Sequence, residues 1–251
     1  MRALVLSDIH GNLEALNAVL AAAGEYDVLW NLGDVVGYGA SPNEVIAIIR
    51  ERAQMNVRGN HDRVCCGLAS AVGFNPIARA AAEWTREEMA PENREWLASL
   101  PKGPLTPEGM PCVSLAHGSP LNEDQYIITM RDAWAPLHQT GVSLTFIGHT
   151  HLQGGFVQKD QEWGEIRPRY STKNDAESWT LEFAEGTHHL INPGSIGQPR
   201  DNDWRAAFAI YDSEAKTVVY HRVPYDLTAA QGRILMAGLP EKLAARLREG
   251  R

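Results

Sequence analysis

Five short apolar segments, each followed at once by a polar turn containing or adjoining glycine, constrain this chain more than any other feature. They are Ala3–Leu6, Val28–Leu32, Met55–Val57, Val113–Ala116 and Leu144–Ile147. Short apolar runs bounded by turn residues predict buried strands. Because ligands of α/β sheets bind at the carboxyl ends of strands, we expect the five polar turns to meet in one crevice.

Helical patterns separate the early strands. One begins near Asn12 with a single apolar face, and Ser41-Pro42-Asn43-Glu44 reads as a capping box leading into a helix through Arg52. Four later strands are predicted at Trp179–Phe183, His189–Ile191, Ala206–Tyr211 and Thr217–Val223. The first half therefore alternates β and α and the second half is mostly β, which predicts one α/β domain over residues 1–251.

Three further regions stand outside this alternation. Residues 67–100 are predicted as a helical insert divided at Pro91, with Trp84 and Trp96 more typical of core anchors than of contacts to a base or sugar. Residues 159–177 are polar and predict a surface loop or a long hairpin. Residues 228–248 predict C-terminal helices with a break at 238–240.

Charge and composition exclude several classes of protein. The 23 Lys and Arg against 31 Asp and Glu give a net charge of −8, which argues against an extended nucleic-acid surface but permits a locally positive pocket. Hydrophobic residues are 44% and charged residues 22%, as in globular proteins. No apolar run approaches the roughly 20 residues that span a bilayer, so we expect no membrane segment. Oligomeric state is not indicated.

The N-terminus and the cysteines favour a cytoplasmic protein. The first apolar run is too short for a signal peptide and meets Asp8 directly. Three cysteines are not a disulfide framework, which fits a reducing compartment. The adjacent Cys65-Cys66 pair could act in redox chemistry or bind metal, but two small side chains opening a helix is the favoured interpretation.

The polar turns contain a set of side chains suited to transition metals. The set is Asp8, His10, Asp34, Asn60, His117, His149 and His151. Imidazoles with carboxylates suit Zn, Mn, Fe or Ni rather than Ca or Mg. Seven groups exceed one tetrahedral site and fit two sites that share one carboxylate. Asp8 and His10, two apart in an extended segment, would point the same way, and His149 and His151 would divide between the sites.

Each motif alone has an ordinary structural explanation. A histidine after a strand is more often a hydrogen-bonded core residue than a ligand, and Gly-Asn-His-Asp could be a turn with a left-handed asparagine. The joint occurrence of five such endings, all after strands, favours a metal site.

The same motifs carry a family resemblance. DIHGN, GDVVGYG, GNHD, HGS and GHTH, in this order, resemble the calcineurin-like metallophosphoesterase superfamily over essentially the whole chain. GYGASPNEVI and NPGSIGQPRD at 192–201 are similar to its small bacterial and archaeal phosphodiesterase-like branch. The resemblance implies a four-layer α/β/β/α fold, two mixed sheets flanked by helices, and a binuclear metal centre.

The resemblance also implies roles. Asp8, His10 and His151 would hold one metal, Asn60, His117 and His149 the other, and Asp34 would bridge both. His61 would be the catalytic histidine, with Asp62 as its orienting partner, and Asn60 would also lie near the substrate. Two divalent transition-metal ions are expected, manganese first, with Fe, Zn or Ni as alternatives.

The implied activity is phosphoester hydrolysis. A metal-bridged hydroxide would attack phosphorus while His61 protonates the leaving alkoxide. A phosphodiesterase acting on a small or nucleotide-like ester is expected; the alternatives are a phosphomonoesterase, a dinucleoside polyphosphate hydrolase, or a non-catalytic scaffold. The scaffold is disfavoured because His61 and all seven ligands are present.

One departure concerns phosphate binding. The protein Ser/Thr phosphatases continue their second motif as Asp-Arg-Gly, whereas this chain has Gly37-Tyr38-Gly39, so the arginine those enzymes use on phosphate is absent. We therefore expect Arg200 to bind substrate in its place, because a guanidinium suits bidentate contact with phosphate oxygens. The alternative is a structural salt bridge from Arg200 to Asp201 or Asp203.

Overall fold

The computed structural model describes all residues from 1 to 251, in eleven strands and eight helices. The strands are β1 Arg2–Leu6, β2 Val28–Asn31, β3 Met55–Asn56, β4 Val113–Leu115, β5 Leu144–Phe146, β6 Gly154–Lys159, β7 Glu162–Ile166, β8 Glu177–Glu182, β9 Thr187–Asn192, β10 Ala206–Asp212 and β11 Thr217–Val223. The helices are α1 Leu13–Ala22, α2 Pro42–Arg52, α3 Asn60–Cys65, α4 Pro76–Glu88, α5 Pro91–Ser99, α6 Met130–Gln139, α7 Leu227–Met236 and α8 Glu241–Glu249.

The strands form two mixed sheets. The six-stranded sheet has the order β3-β2-β1-β10-β11-β8, and the five-stranded sheet has the order β4-β5-β9-β6-β7. β1, β2 and β3 run parallel in the first sheet, as β4, β5 and β9 do in the second. The five strands that are followed by the polar turns, β1 to β5, therefore all lie in the parallel parts of the two sheets.

Side chains that alternate between the two faces of a strand enter two different hydrophobic cores. In β1, Leu4 and Leu6 face the core beneath the helices, whereas Ala3 and Val5 face the core between the sheets. Both faces are covered, which explains why the central strands read as continuous apolar runs. Helices α1 to α5, α7 and α8 lie on the first sheet, and α6 packs on the outer face of the second. The expected four-layer α/β/β/α fold is confirmed.

The predicted helices are mostly present. Pro91 occupies the first turn of α5 and divides the insert as expected, although residues 67–75 are not helical. Trp84 and Trp96 are partly buried against the helix-side core, which favours their structural interpretation. The break between α7 and α8 falls at the predicted position. None of the eight helices is both long and apolar enough to cross a membrane.

Several local predictions need correction. The polar region from residue 159 begins with a hairpin of β6 and β7, in agreement with the hairpin alternative, but β6 itself was not predicted. α6 was not predicted either. Ser41 precedes α2 but its hydroxyl has no hydrogen-bond partner, so the capping box is not formed. Cys65 ends α3, so the prediction that the cysteine pair opens a helix is wrong.

Candidate metal centre

The ends of β1, β2, β4 and β5 bring most of the expected ligands into one buried cluster. Its ligand atoms form two groups, each with all members within 4.8 Å of one another: Asp8, His10, Asp34 and His151 in the first, and Asp34, His117 and His149 in the second. Asp34 belongs to both groups, and His149 and His151 fall on different sides. The seventh residue, Asn60, places its Oδ1 3.1 Å from His117 Nε2. The structure thus brings all seven residues together.

The backbone that presents these side chains is not extended. Asp8, His10, Asp34, His149 and His151 have φ between 50° and 68°. They make up five of the nine non-glycine residues with positive φ, a conformation that is uncommon for residues other than glycine and is found at many functional sites. The expectation that Asp8 and His10 meet through the period of an extended segment is therefore wrong, although both do lie in one group.

Backbone hydrogen bonds hold the first two turns together in this conformation. Asp8 N donates to Gly33 O, and His10 N donates to Asp34 O, each at 3.0 Å. Gly59 packs so closely on Asp34 that an added Cβ would overlap the Asp34 carboxylate and amide nitrogen. Glycine at this turn is thus required by close approach and not by φ.

Three of the imidazoles are oriented by distant carbonyls. Nδ1 donates to Val36 O in His10 (3.1 Å), to Leu32 O in His117 (2.9 Å) and to Gln198 O in His151 (2.5 Å). A carbonyl oxygen only accepts, so Nδ1 carries a hydrogen and Nε2 faces the cluster, where its lone pair is available when the ring is neutral.

His149 is oriented the opposite way. Its Nε2 lies 3.4 Å from Asp124 O, which leaves Nδ1 as the nitrogen that can bind a metal. Asp124 belongs to the loop that carries Tyr126, whose ring stacks on His149 at a centroid distance of 3.9 Å. The loop after β4 therefore orients this imidazole and covers it on one side.

This arrangement fits metal ions. His10 Nε2 and His151 Nε2 face each other at 3.1 Å, and with hydrogens on both Nδ1 atoms neither has one to donate. Asp8 Oδ1 lies beside them, buried and without a hydrogen-bond partner. Buried polar atoms are nearly always satisfied, so three acceptors around one point call for a cation. Imidazole and carboxylate together suit a divalent transition metal.

In the metal-free protein, burial and the ion pair of His117 with Asp34 decide which side chains of the cluster are protonated. Burial by itself would lower the pKa of His117, but the carboxylate of Asp34, with Oδ2 at 3.4 Å from Nε2, raises it to about 10. Burial likewise opposes ionisation of Asp34, yet the charge of His117 holds that pKa well below its usual range. Burial lowers the pKa of His10 and His151, and that of His149 to about 3, so these three stay neutral. Most ligands are thus already deprotonated for metal binding.

His61 lies at the edge of the cluster. Its ring contacts those of His10, Tyr38 and Phe74, with centroids 4.9, 4.4 and 4.6 Å away, and its Nδ1 has no hydrogen-bond partner. Its amide donates to Asp34 Oδ1 at 2.8 Å. Burial lowers its pKa to about 4. Phe74 belongs to the insert, which therefore forms one wall of the site.

Asp62 does not contact the ring of His61. Its carboxylate accepts the backbone N–H groups of Asp34 (2.9 Å), Gly59 (3.0 Å) and Val36 (3.2 Å). The expectation that Asp62 orients His61 is therefore wrong, because its oxygens are occupied in joining the start of α3 to the Asp34 turn. Its position third in the helix after Gly59, where acidic residues cap, was the sequence signal for this role.

Arg200 approaches the cluster without a carboxylate partner. Its Nη2 donates to Gln198 Oε1 at 3.0 Å and to Tyr38 Oη at 3.4 Å. Asp201 pairs with Arg222, and Asp203 pairs with Arg205. The alternative of a salt bridge from Arg200 to either aspartate is therefore wrong, since both carboxylates are held by other guanidinium groups.

Three contributors were not predicted. Ser7 donates its hydroxyl hydrogen to Asp8 Oδ2 at 2.7 Å, Tyr126 stacks on His149, and Phe74 packs on His61. Ser7 directly precedes a proposed ligand, which is a usable signal. Nothing in the local sequence distinguishes Tyr126 or Phe74, because their positions depend on how the loop and the insert fold back.

Comparisons with known proteins agree with this architecture. A family model described as the calcineurin-like phosphoesterase superfamily domain matches residues 1–216. An uncharacterized protein of Methanocaldococcus jannaschii is 35% identical, over 98% of this chain and 97% of that protein. A metallophosphoesterase from Sphaerobacter thermophilus, known from its crystal structure, is 38% identical with a TM-score of 0.84, covering 100% of this chain and 99% of that one. A hypothetical protein from Pyrococcus horikoshii OT3 shares the fold at 22% identity, TM-score 0.77, over 100% and 98% of the two chains.

Proposed function

The chain belongs to the calcineurin-like phosphoesterase superfamily, and from this premise we propose that it is a binuclear metal-dependent phosphodiesterase acting on small or nucleotide-like phosphate esters. One observation carries the proposal: a buried cluster of two ligand groups that share Asp34, in which the imidazoles of His10, His149 and His151 are already neutral. A scaffold would have no use for five ligands in strained backbone.

The ligand roles follow the two groups. Asp8, His10 and His151 would hold one ion, Asn60, His117 and His149 the other, and Asp34 both. Divalent transition-metal ions, manganese first and Fe, Zn or Ni as alternatives, supply a water of lowered pKa and neutralise the phosphoryl oxygens. Two carboxylates would offset only part of the charge of two such ions, so the loaded pocket would be positive and would attract a phosphate although the chain carries −8.

His61 is proposed as the general acid. In the free protein its ring is buried and neutral, since burial lowers its pKa. An anionic phosphate placed beside the ring would raise that pKa, because an opposite charge nearby favours the imidazolium. The imidazolium can then give its proton to the leaving oxygen. Contacts with Tyr38 and Phe74 fix the ring, as Asp62 fixes the loop beneath it.

Preference for a diester rests on the charge of the site. Tyr38 occupies the place where protein phosphatases have arginine, so the cation those enzymes use on the reacting phosphate is absent from that turn. A diester carries one negative charge at the reacting phosphate and a monoester carries two, so fewer cations are needed. Arg200 is proposed to contact a phosphate oxygen, and Asn60 to lie against the substrate as well as the metal.

The test compares metal content and turnover. Metal-stripped protein is reloaded with Mn, Fe, Zn or Ni and assayed on bis-p-nitrophenyl phosphate, p-nitrophenyl phosphate and a dinucleoside polyphosphate. Two ions per chain with diester turnover is the expected result. Turnover of the monoester or the polyphosphate alone would replace the phosphodiesterase by that activity. Bound metal without turnover of any ester would favour a scaffold.

A further inference from the structure

Two arginines from distant parts of the chain flank the ring of Tyr38 at the edge of the metal centre. The Cζ of Arg200, in the loop after β9, lies 5.8 Å from the ring centroid, and the Cζ of Arg246, in the last turn of α8, lies 6.0 Å from it. The same ring contacts the imidazoles of His10 and His61, with centroids 4.7 and 4.4 Å away. Both guanidinium groups therefore lie one aromatic ring away from the proposed catalytic residues.

Neither guanidinium forms a salt bridge with an acidic side chain: Arg200 donates to Gln198 and Tyr38, and Arg246 donates to a main-chain oxygen. The Nε of Arg200 is buried without a hydrogen-bond partner, and the Nε of Arg246 donates to the main-chain oxygen of Arg251 at 2.7 Å. The next arginine along this loop behaves differently, because Arg205 pairs with Asp203 and Glu177. The Nη atoms of Arg246 make no hydrogen bond within the protein, so they remain available to an anion.

The electrostatics of Arg246 agree with this view. Burial and then the positive charge of Arg200 lower its pKa, so the two groups sense one another. An oxyanion bound by both groups would offset the repulsion between them, as Glu249 already does in part for Arg246, and the planar guanidinium fork suits phosphate oxygens.

The two side chains are also held in place relative to one another. Leu243 and Leu247 bury one face of α8 in the helix-side core. Gly250 ends the helix in the left-handed conformation, and its carbonyl accepts the amide of Asn202 at 2.9 Å. The end of α8 is thus fastened to the loop that carries Arg200, so little ordering is needed when a ligand binds.

We propose that Arg200 and Arg246 form an anion subsite that binds a second oxyanionic group of the substrate, such as a phosphate on the arm remote from the reacting ester. The proposal rests on the proposed function for the identity of the reacting group, but the subsite itself does not depend on metal. The family match ends at residue 216, so α8 and Arg246 lie outside it.

The direct test measures sulfate binding to metal-stripped protein by titration calorimetry at constant ionic strength. Without metal the cluster carries carboxylates, so sulfate reports on the arginines. We expect Arg246→Met to weaken sulfate binding about tenfold and Arg246→Lys to weaken it less, because one charge-assisted contact is typically worth that much. Arg248→Met, an exposed neighbour on the same helix, is the matched control and should bind as wild type does. Melting temperatures verify that each variant is folded.

Kinetics on the metal-loaded enzyme give the second readout. We compare a p-nitrophenyl phosphodiester with the same diester carrying a second phosphate on its other arm. The second phosphate should lower KM about tenfold in wild type and in Arg248→Met, and this advantage should be lost in Arg246→Met. Arg246→Lys should keep part of it.

The two proposals fail separately. Sulfate binding that is lost in Arg246→Met, in a protein that turns over no ester, would overturn the proposed function and leave the subsite standing. Sulfate binding unchanged in Arg246→Met and in the double variant with Arg200→Met would overturn the subsite, whatever the turnover. Should Arg246→Met not fold, an Arg246→Lys variant with wild-type sulfate affinity and KM ratio would also overturn it.

Discussion

Replacing Gly59 by alanine should disable the metal centre through a single methyl group. Gly59 has φ of −88°, which alanine adopts without strain, so the effect is steric. The added Cβ would overlap the carboxylate and the amide nitrogen of Asp34. These are backbone and anchored atoms, and they cannot rotate away as a flexible side-chain end could. The Asp34 turn must therefore shift, and with it the carboxylate shared by both ligand groups.

The magnitude follows from what this shift disturbs. Forcing extra volume into a packed site costs about 1–3 kcal/mol of stability. A displacement of about 1 Å at a reacting centre costs roughly 10²-fold in rate. Asp34 also accepts the His61 amide and receives support from Asp62, so the proposed acid moves with it. We expect a folded protein with weakened binding at both metal positions and turnover reduced at least about 100-fold.

The assay combines metal stoichiometry, turnover of the diester and chemical denaturation. Gly232→Ala in α7 is the matched control, because no atom lies within 4 Å of its added Cβ. Alanine in a helix should raise stability there by about 0.5–1 kcal/mol and leave turnover unchanged. A Gly59→Ala protein with two tightly bound metals and wild-type turnover would refute the placement of Asp34 against this turn.

Three other changes test separate parts of the site and fold. Asp34→Asn should abolish turnover and weaken the binding of both metal ions, since a neutral amide bridges two cations poorly. Normal metal stoichiometry with normal activity would contradict this. His61→Gln should keep both metals and lose about 10²–10⁴-fold on alkyl esters but less on nitrophenyl esters, whose leaving group needs little protonation; equal losses on both would exclude the acid role. Burial lowers the pKa of His189 to about 4 from 6.5, so the folded state binds fewer protons than the unfolded state. The contribution of neutral His189 to the free energy of unfolding is complete above pH 6.5. It is lost as the pH falls toward 4, by up to about 3 kcal/mol. Urea denaturation of wild type and His189→Gln should therefore diverge over this range, and parallel curves would be evidence against a neutral buried histidine.

The resemblance and the fold class expected from sequence are both confirmed. Strand ends were the informative feature, because a chain that buries both faces of its sheets must place its polar groups where strands stop. Elements with weaker patterns were missed. α6 contains Pro136, and β6 begins with Gly154 and Gly155 at positive φ, so local propensity argued against a helix and a strand that tertiary packing supports.

For single residues too, some roles could be predicted from the sequence and others only from the structure. Which residue types could bind metal was readable from the turns. Asp62 had a capping position as its signal, but an aspartate beside a histidine also suggests a pair, and only the structure shows its oxygens accepting from three amides. Likewise, the sequence did not decide between substrate contact and a salt bridge for Arg200. The salt bridge was excluded only when Arg205 and Arg222 were found paired with the neighbouring aspartates.

The sequence by itself determined which polar residues follow the first five strands and the mix of carboxylate and imidazole among them, because these depend on neighbours along the chain. Tertiary structure alone decided which ring nitrogen faces the cluster, since the orienting carbonyls of Val36, Leu32 and Gln198 lie 26, 85 and 47 residues from their histidines. It also decided that Arg246 joins Arg200 at Tyr38, because only the packing of α8 brings residues so distant in sequence to the same aromatic ring.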